Sequence, residues 1–358
     1  VYRNAAWKAG SDAAAAGRGF SGQVDVAALF IERCVSLVRH GGISALIVPA
    51  KLWRSLAGGG VRALLMESTA LIEIHDLSGG AQPFEAAVYP STVVARRLAP
   101  NIATTSSVSL AVQKRGGTCR WMTDSSRVAF DDTVGSPWVM LPDDVRKSFD
   151  RLTEAGTPLS RSPLGRPMLG VKSGCNEAFI PPTGKVECEL LRPLVRGEDL
   201  VQWQLAPATG RIIWTHTASG RALQSLPPRA MEWLSSFQSE LENRSDCRGG
   251  ARWWSLFRTE SADYSRPRVV WSDVARMPVA AFIPAGDNSV AINSCYVIRC
   301  ADVCDAFALT ALLNSPLSAA WLNVIAEPAR GGYHRYLGWT VSLLPVPRDW
   351  RRAASILA

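Results

Sequence analysis

No stretch of the sequence approaches the roughly 18 to 20 consecutive apolar residues that a membrane-spanning helix requires. The first residues, Val1-Tyr2-Arg3-Asn4, also lack the apolar core of a signal peptide. We therefore expect a soluble protein with no membrane association and a cytoplasmic location. The chain does not begin with methionine either, and we expect it to be part of a longer product.

Paired cysteines are missing as well. The chain has eight cysteines, but none forms a CxxC pair and no histidine follows at zinc-finger spacing. Cys300 and Cys304 would share one face of a helix, yet two cysteines without further ligands make a poor metal site. The sequence therefore predicts reduced thiols, without a disulfide framework and without a metal.

Lysine is scarce. The chain has 6 Lys and 33 Arg against 31 acidic residues, which leaves a net charge of +8. Arginine presents a planar fork that suits guanine edges and phosphates, so the excess favours a nucleic-acid binder. Codon bias in a GC-rich genome explains the same excess without any function. Charge alone therefore favours DNA only slightly.

Disorder is not indicated, because 47% of the residues are hydrophobic and 20% are charged. A chain of 358 residues exceeds the usual size of one domain, roughly 100 to 200 residues. We therefore expect two domains, each able to bury a core.

Residues 20 to 100 alternate between helical and extended patterns. Residues 24 to 39 predict an amphipathic helix that ends at Gly41-Gly42, with one apolar face made of Val26, Leu29, Phe30, Cys34, Leu37 and Val38. The apolar run from Ile43 to Val48 ends at Pro49. It predicts a strand buried on both faces, as parallel strands are.

The next segments extend this unit. A second helix is predicted over about Gly60 to Ser68, a second strand over Leu71 to Leu77 and a third over Ala87 to Ala95. The third strand follows the second after a short loop, so it can be its neighbour only if the two run antiparallel. We therefore predict a parallel sheet closed by one antiparallel hairpin.

The pattern changes further along the chain. Residues 101 to 150 are mixed in character and predict a connector, with a short strand near Val108 to Val112. From Arg151 onward short strands, turns and many Trp, Arg and Pro residues predict a second, mixed α+β domain. One helix is predicted there, over Asp302 to Leu313.

The order of these elements carries a resemblance. Val48-Pro49 at a strand end, then Pro83-Phe84-Glu85 before a strand that ends at Val93 to Arg97, resembles the late catalytic motifs of gamma-class DNA adenine N6-methyltransferases. These are enzymes of restriction-modification systems, of the Taq-like and type IIG-like kinds. The resemblance covers residues 24 to 97 without a gap.

A second resemblance begins beyond residue 165. Gly170-Val-Lys172-Ser173-Gly174-Cys-Asn176-Glu-Ala-Phe179 resembles the segment that opens the target-recognition domain of those enzymes, and Arg192-Pro-Leu-Val-Arg196-Gly197-Glu-Asp199 resembles a turn of the same domain. Three further matches follow in the family's order: Asn314-Ser315-Pro316, Arg330-Gly331-Gly332 and Pro345-Val-Pro347.

The resemblance implies an α/β fold. Residues 1–100 would form the C-terminal part of a Rossmann-like methyltransferase domain, 101–150 a connector and 151–358 a mixed α+β target-recognition domain. The implied activity is site-specific methylation of adenine N6 in double-stranded DNA, with S-adenosylmethionine as the methyl donor.

Two family motifs are missing from this sequence. Those enzymes carry a glycine-rich donor-binding loop and an Asn/Asp-Pro-Pro-Tyr/Phe segment, whereas the only Pro-Pro pairs here, Pro181-Pro182 and Pro227-Pro228, stand in other contexts. We therefore expect an upstream catalytic segment or a separate subunit to supply both motifs. This chain alone should be inactive. The alternative is a noncatalytic DNA-specificity module that works with a separate catalytic subunit.

The resemblance also implies roles for single residues. Phe84 would stack on the flipped adenine, although a phenylalanine that caps the hairpin explains the same pattern. Lys172, Ser173 and Asn176 would reach phosphates or base edges, or they would form a glycine-bounded turn capped by Asn176. Arg196 would lie near DNA or form a rigid turn with Asp199. The last candidates for DNA contact are Arg330 and Arg335, or else they lie in a solvated loop.

Overall fold

The computed structural model describes residues 25–79, 88–100, 107–114, 116–217, 220–329 and 331–358. The chain divides into two compact units. Unit 1 comprises Val1–Ala155 and Ala320–Arg335, and unit 2 comprises Gly156–Ala319 and Tyr336–Ala358. The segment predicted as a connector is thus grouped with unit 1, as are residues 320 to 335.

Within the described ranges the helices and strands follow one another in a mixed order. In chain order they are α1 Val26–Leu37, β1 Ile43–Pro49, α2 Lys51–Arg54, α3 Gly59–Ser68, β2 Thr69–Asp76, β3 Pro90–Arg97, β4 Ser107–Lys114, β5 Gly117–Asp124, α4 Asp143–Ala155, β6 Gly156–Pro158, β7 Met168–Leu169, α5 Asn176–Phe179, β8 Leu191–Val195, β9 Leu200–Val201, β10 Gln204–Leu205, β11 Arg211–Ile213, α6 Pro228–Ser235, α7 Gln238–Glu242, β12 Arg268–Ser272, β13 Val274–Ala275, β14 Ala280–Ile283, β15 Val290–Ala291, β16 Cys295–Arg299, α8 Val303–Leu313, α9 Pro316–Ile325, β17 Glu327–Ala329, β18 Tyr333–Arg335, α10 Gly338–Ser342, β19 Pro345–Pro347 and α11 Trp350–Leu357.

Unit 1 contains a five-stranded sheet in the order β1-β3-β2-β4-β5. β3 lies between β1 and β2 and runs antiparallel to both, while β2 and β4 are parallel. The predicted antiparallel pairing of the second and third strands is therefore confirmed, whereas the prediction that their hairpin closes a parallel sheet is wrong, because β3 lies between β1 and β2 and separates these two strands. β1, β2 and β4 share one direction, so their carboxyl ends lie at one edge of the sheet.

The first helix is confirmed, but its predicted buried face is wrong. The residues that α1 buries are Ala28, Ile31 and Val35. The larger side chains of Val26, Leu29, Phe30 and Leu37 are exposed. The helix carries more apolar residues than one face can hold, and the face that packs on the described core includes the small Ala28. Hydrophobic spacing could not tell these two apolar faces apart.

The first strand is also confirmed, whereas its predicted burial on both faces is wrong. β1 pairs only with β3 among the described residues and lies at the edge of the sheet. Val48 belongs to the core, and Leu46 packs against it. Ile43 and Ile47 are 55% and 64% exposed. One face of β1 is therefore open to solvent.

Unit 2 is built from several small sheets. A four-stranded sheet has the order β14-β12-β16-β7, a three-stranded sheet has the order β11-β8-β15, and β6 pairs with β19. The predicted helix is confirmed as α8, whose N-cap Asp302 accepts a 2.8 Å hydrogen bond from the backbone N–H of Asp305. α8 packs against β12, β14 and α11. This is the mixed α+β character that the sequence predicts.

No single helix in the described ranges is long and apolar enough to cross a membrane. α8 and α9 meet that requirement only when taken together, and they are bent by 66°. All eight cysteines are free thiols, and the described residues hold no group of three or more His, Cys, Asp or Glu side chains able to bind a metal.

Candidate nucleic-acid interface

A cleft of about 580 Å³ lies in unit 1, beyond the carboxyl ends of β2 and β4. Asp76 ends β2 and lines the cleft together with Ser78 and Gly79, and Lys114 at the end of β4 lines it from the next strand. Open α/β sheets bind their ligands at this kind of edge. Residues 80 to 87, which carry Phe84, follow Gly79 in the sequence. That segment lies outside the described residues.

Asp76 organises the polar wall of this cleft. Its carboxylate lies 3.5 Å from the guanidinium of Arg54, and both side chains are largely buried. The backbone N–H of Ser78 donates to the same carboxylate over 2.9 Å. Asp76 therefore fixes the turn that leaves β2, and its oxygens are already engaged. Aromatic residues complete the lining: Tyr89, Trp121 and Tyr333.

Two buried groups hold the strand ends around the cleft. The indole N–H of Trp53 donates to the hydroxyl of Ser91 over 2.8 Å, and that hydroxyl donates to the carbonyl of His75 over 2.8 Å. The ring of Trp53 stacks on Trp138 with ring centres 4.9 Å apart. The end of β2 and the start of β3 are thus tied to the helix that follows β1.

The second buried group is Arg62 of α3. Its guanidinium donates to the carbonyls of Leu52 and Ser55 and, 70 or more residues further along the chain, to those of Gly135 and Ser136. Complete burial lowers its pKa to about 9, so the side chain is still charged at neutral pH. Arg62 therefore joins segments that the sequence gives no reason to associate.

In unit 2, the segment from Gly170 to Phe179 forms a compact turn that leads into α5. The hydroxyl of Ser173 is buried and donates to the side-chain oxygen of Asn176 over 2.6 Å. Asn176 itself is exposed. The ammonium group of Lys172 lies 2.5 Å from a carboxylate oxygen of Asp246. The structure thus brings these three predicted residues together, and Asn176 presents its amide to solvent.

The buried side chain of Arg244 holds this turn through hydrogen bonds, a role that the sequence did not indicate. Its guanidinium donates to the carbonyls of Ser173, Leu241 and Trp253. Burial lowers its pKa. A side chain at Gly174, where φ is +71°, would lie 2.6 Å from the Cδ of Arg244, so this position needs glycine both for its backbone conformation and for space.

Arg196 lies in a short rigid turn. Its backbone N–H donates to the carboxylate of Asp199 over 2.8 Å, and the backbone N–H of Asp199 donates back to the carbonyl of Arg196 over 3.0 Å. The guanidinium lies 3.7 Å from the exposed carboxylate of Glu198. Arg196 and Asp199 therefore form the rigid turn that the sequence predicts as one of two alternatives.

The last two candidate residues, Arg330 and Arg335, fall in a different unit from the other candidates for DNA contact. Arg330 is outside the described residues. Arg335 is exposed on β18, opposite Glu327 of β17, and both strands belong to unit 1. Lys172, Ser173, Asn176 and Arg196 belong to unit 2. The predicted DNA-contact residues are thus distributed over both units.

Comparison with known proteins finds a family that matches one segment of the chain. Residues 8–84 match the family described as Eco57I restriction-modification methylase. A type II methyltransferase of Pseudomonas aeruginosa, M.PaeR7I, is 25% identical over 347 residues, which cover 91% of this chain and 59% of that protein. The chain is similar to restriction-modification methyltransferases. It spans about three fifths of the length of this curated relative.

A solved structure shows the same similarity at the level of the fold. It is that of the type IIL restriction-modification enzyme MmeI in complex with DNA. The two chains superpose with a TM-score of 0.58 at 12% sequence identity, over 88% of this chain and 40% of that one. The likeness therefore concerns the fold, and it extends through most of both units.

Proposed function

We propose that the chain is the C-terminal part of a site-specific DNA adenine N6-methyltransferase of a restriction-modification system. Unit 1 forms the last part of the catalytic domain, and unit 2 chooses the DNA sequence. The observation that carries this proposal is the methylase match over residues 8–84, which includes α1, β1, α3, β2 and the Phe84 segment. Double-stranded DNA is the substrate, and S-adenosylmethionine is the donor in the complete enzyme.

The choice of adenine rests on Pro83-Phe84-Glu85 and on the chemistry of a flipped base. An enzyme that methylates N6 within a duplex must unstack the base at a cost of a few kcal/mol, and an aromatic face helps to offset that cost. Phe84 follows the last residue of β2 by eight positions in the sequence, and Ser78 and Gly79, which directly precede its segment, line the cleft. The cleft therefore has the place in the sheet that a base-binding site requires.

Two features of unit 1 argue against a methyl-donor site among its described residues. Nucleotide-like ligands in doubly wound folds bind at a glycine-rich turn directly after a strand and at an acidic residue of the next strand. Gly58, Gly59 and Gly60 are buried, and the carbonyl of Leu52 occupies the space beside Gly58. The carboxylate of Asp76 is engaged by Arg54 and Ser78. We therefore assign the donor site to a segment outside these residues.

The edge of the sheet supports this assignment. β1 has one described neighbour, and Ile43 and Ile47 are exposed on its open face. Phe30 and Leu37 on α1 are both 65% exposed. Exposed apolar groups beside an unpaired strand edge form a typical surface for adding further strands and helices. An upstream catalytic segment would complete the sheet there and supply the donor-binding and catalytic motifs.

The same surface fits the alternative, a noncatalytic DNA-specificity module that pairs with a separate catalytic subunit. The coding sequence that precedes Val1 separates the two proposals. A glycine-rich loop and an Asn-Pro-Pro-aromatic segment in the same reading frame support one catalytic chain. Their absence there, with both motifs in a neighbouring gene, supports the module.

The activity is tested by expressing the protein with its native upstream coding segment in a host that lacks DNA methylation. The genomic DNA is digested and its nucleosides are separated by mass spectrometry, and single-molecule sequencing locates the modified positions. We expect N6-methyladenine at one short sequence. A variant of the upstream Asn-Pro-Pro-aromatic segment is the control. Methylcytosine alone, or no modified base, would contradict the proposal.

A further inference from the structure

A second cleft, of about 490 Å³, lies within unit 2 and contains none of the residues discussed above as candidate sites. One wall comes from β8 and the segment after β11, with Arg192 and Trp214. The other wall is the segment from Thr259 to Ser265, and Arg299 at the end of β16 completes it. We refer to this site as the Arg192 cleft.

Arg192 is held against two aromatic rings. Its guanidinium carbon lies 4.1 Å from the ring centre of Trp214 and 5.1 Å from that of Tyr264. Stacking on aromatic rings restricts the guanidinium to few orientations and leaves its in-plane N–H groups available. The side chain is half-buried, and burial lowers its pKa, but the group remains a cation at neutral pH.

Other buried arginines of unit 2 use their N–H groups within the protein. Arg244 donates to three carbonyls, and Arg268 donates to the carbonyls of Asp287 and Ser289. Arg252 is exposed but also stacks on a tryptophan, and it donates to the backbone and side chain of Gln224. In the described part of the chain, the guanidinium of Arg192 makes no hydrogen bond and no ion pair, while its backbone pairs with Ile212. The two rings therefore restrict the guanidinium, and no described residue engages its N–H groups.

The carboxylates of the cleft differ in the same way. Asp263 accepts from the backbone of Ser265 over 2.9 Å and is paired with Arg299. Glu260 is exposed, and its side chain bonds to no described residue. One wall of the cleft thus presents an unengaged cation and the other an unengaged carboxylate.

We propose that the Arg192 cleft reads one G·C base pair of the recognised DNA site. Arg192 donates to O6 and N7 of guanine, and Glu260 accepts from the N4 amino group of cytosine. These are the acceptor and donor groups that a G·C pair shows in the major groove, and Arg and Glu are the side chains that match them. The proposal rests on the proposed function, since it assigns residues to DNA recognition by unit 2.

A phosphate group fits this cleft less well than a base pair. Arginine also binds phosphate through its fork, but a phosphate here would lie next to Glu260, the one carboxylate of the described lining that no arginine neutralises, since Asp263 is paired with Arg299. A base pair is neutral and offers Glu260 a donor. The balance of charge therefore favours base readout over backbone contact.

The test uses the full chain and a random duplex library, from which bound sequences are selected and read. Variants are Arg192→Ala, Arg192→Lys and Glu260→Gln. Arg252→Ala serves as the matched control, since Arg252 stacks on Trp254 but its fork is already engaged. A second measurement replaces each guanine of the selected site in turn with 7-deazaguanine, which removes the N7 acceptor.

We expect the unsubstituted chain to lose roughly twofold to 13-fold in affinity when one particular guanine carries the 7-deaza change, because the change removes one of the two acceptors of a bidentate contact worth about 1 to 3 kcal/mol. Arg192→Ala and Arg192→Lys should lose preference at that position alone. Glu260→Gln should relax the same position. Because Glu260 is exposed, its variant should fold even if Arg192→Ala does not. Arg252→Ala should keep the original preference.

The inference fails while the proposed function stands if the chain selects a DNA site but no single 7-deazaguanine reduces binding. It also fails if the Arg192 and Glu260 variants bind every sequence less tightly by the same factor, or if they bind as the unsubstituted chain does. It fails as well if Arg252→Ala relaxes the same position as the Arg192 variants. If the chain selects no sequence at all, the assignment of DNA recognition to unit 2 fails together with the inference.

Discussion

The buried hydroxyl of Ser173 donates a hydrogen bond to the side-chain oxygen of Asn176 over 2.6 Å. This bond orients the side-chain amide of Asn176, which is an exposed residue. The two residues belong to one turn, and Arg244 anchors the carbonyl of Ser173 beneath it. A structural turn and DNA contact, which the sequence offers as alternatives for this segment, are therefore compatible. Ser173 orients the side chain of Asn176 through their hydrogen bond.

Asn176→Ala should change the sequence preference of the complete enzyme more than its affinity for DNA in general. An asparagine paired with adenine contributes about 1 to 3 kcal/mol of discrimination, or roughly fivefold to 150-fold. Ser173→Ala should relax the same position to a smaller extent, because it removes only the bond that orients Asn176. Methylation rates on sites substituted one base at a time measure both effects.

The matched control is Asn243→Ala, an exposed asparagine of unit 2 that bonds to the backbone of its own helix. It should leave the preference unchanged. If Asn176→Ala lowers binding equally for every sequence, the residue positions the DNA backbone and does not read a base. Titrations at two salt concentrations show which contribution remains, since phosphate contacts weaken steeply with salt.

Phe84→Ala should slow methylation by the complete enzyme more than it weakens DNA binding. Stacking of an aromatic ring on a base contributes about 1 to 3 kcal/mol, so a loss of roughly fivefold to 150-fold is expected in the methylation step. Fluorescence of 2-aminopurine at the target position reports flipping directly. The control Phe307→Ala changes a half-exposed phenylalanine of unit 2. Unchanged rate and fluorescence in Phe84→Ala would show that Phe84 only caps the hairpin.

His216 makes the stability of unit 2 depend on pH. Burial, and then the nearby charge of Arg192, lowers the pKa of this histidine to about 4. The unfolded chain binds a proton near pH 6.5, whereas the folded chain does not until about pH 4. The contribution is therefore present above pH 6.5 and is lost as the pH falls toward 4, by about 3 kcal/mol in all.

Urea unfolding at a series of pH values measures this effect. His216→Asn should be less stable at pH 7 and should lose less of its remaining stability between pH 6.5 and 4. His40→Asn changes an exposed histidine of unit 1 and should leave the slope as it is. A slope that is the same in His216→Asn and in the unsubstituted chain would assign the pH dependence to other groups.

The local patterns of the sequence predicted where several helices and strands lie, but they did not predict which faces of those elements are buried. Hydrophobic spacing located α1, β1, α3 and α8, and the short connection between β2 and β3 required the antiparallel pairing that the structure has. The same spacing assigned the wrong buried face to α1, because burial depends on what lies beside the helix. Edge position, which exposes Ile43 and Ile47, is likewise a property of the whole sheet.

Side-chain clusters of residues that are far apart in the sequence could not be predicted, for a related reason. Arg192, Trp214 and Tyr264 meet only after β8, β11 and the segment before β12 have folded together. Arg62 meets Gly135 and Ser136 across more than 70 positions of the chain. In the sequence each of these arginines is one among 33. The segment from Lys172 to Asn176 could be singled out because its polar residues and glycines are contiguous.

The chain by itself should neither bind S-adenosylmethionine tightly nor methylate DNA. Binding the donor requires backbone amides at a glycine-rich turn and an acidic residue at the next strand end. Gly58 to Gly60 are buried in α3 and the turn before it, and Asp76 is engaged by Arg54 and Ser78. Methyl transfer also requires acceptors that align the adenine amino group, because positioning and charge stabilisation supply most of the acceleration.

Calorimetry with S-adenosylmethionine measures this expectation directly. The chain of 358 residues should release no binding heat, and extension by the upstream coding segment should restore both donor binding and methylation. The specificity-module alternative instead expects that the extension adds no donor site and that a separate subunit restores activity. Arg54→Ala in the chain alone is a useful control, since it frees one side of Asp76 without adding a glycine-rich turn. Micromolar binding by the unsubstituted chain would show that the donor pocket lies within residues 1 to 358 and that the open edge of β1 has another purpose.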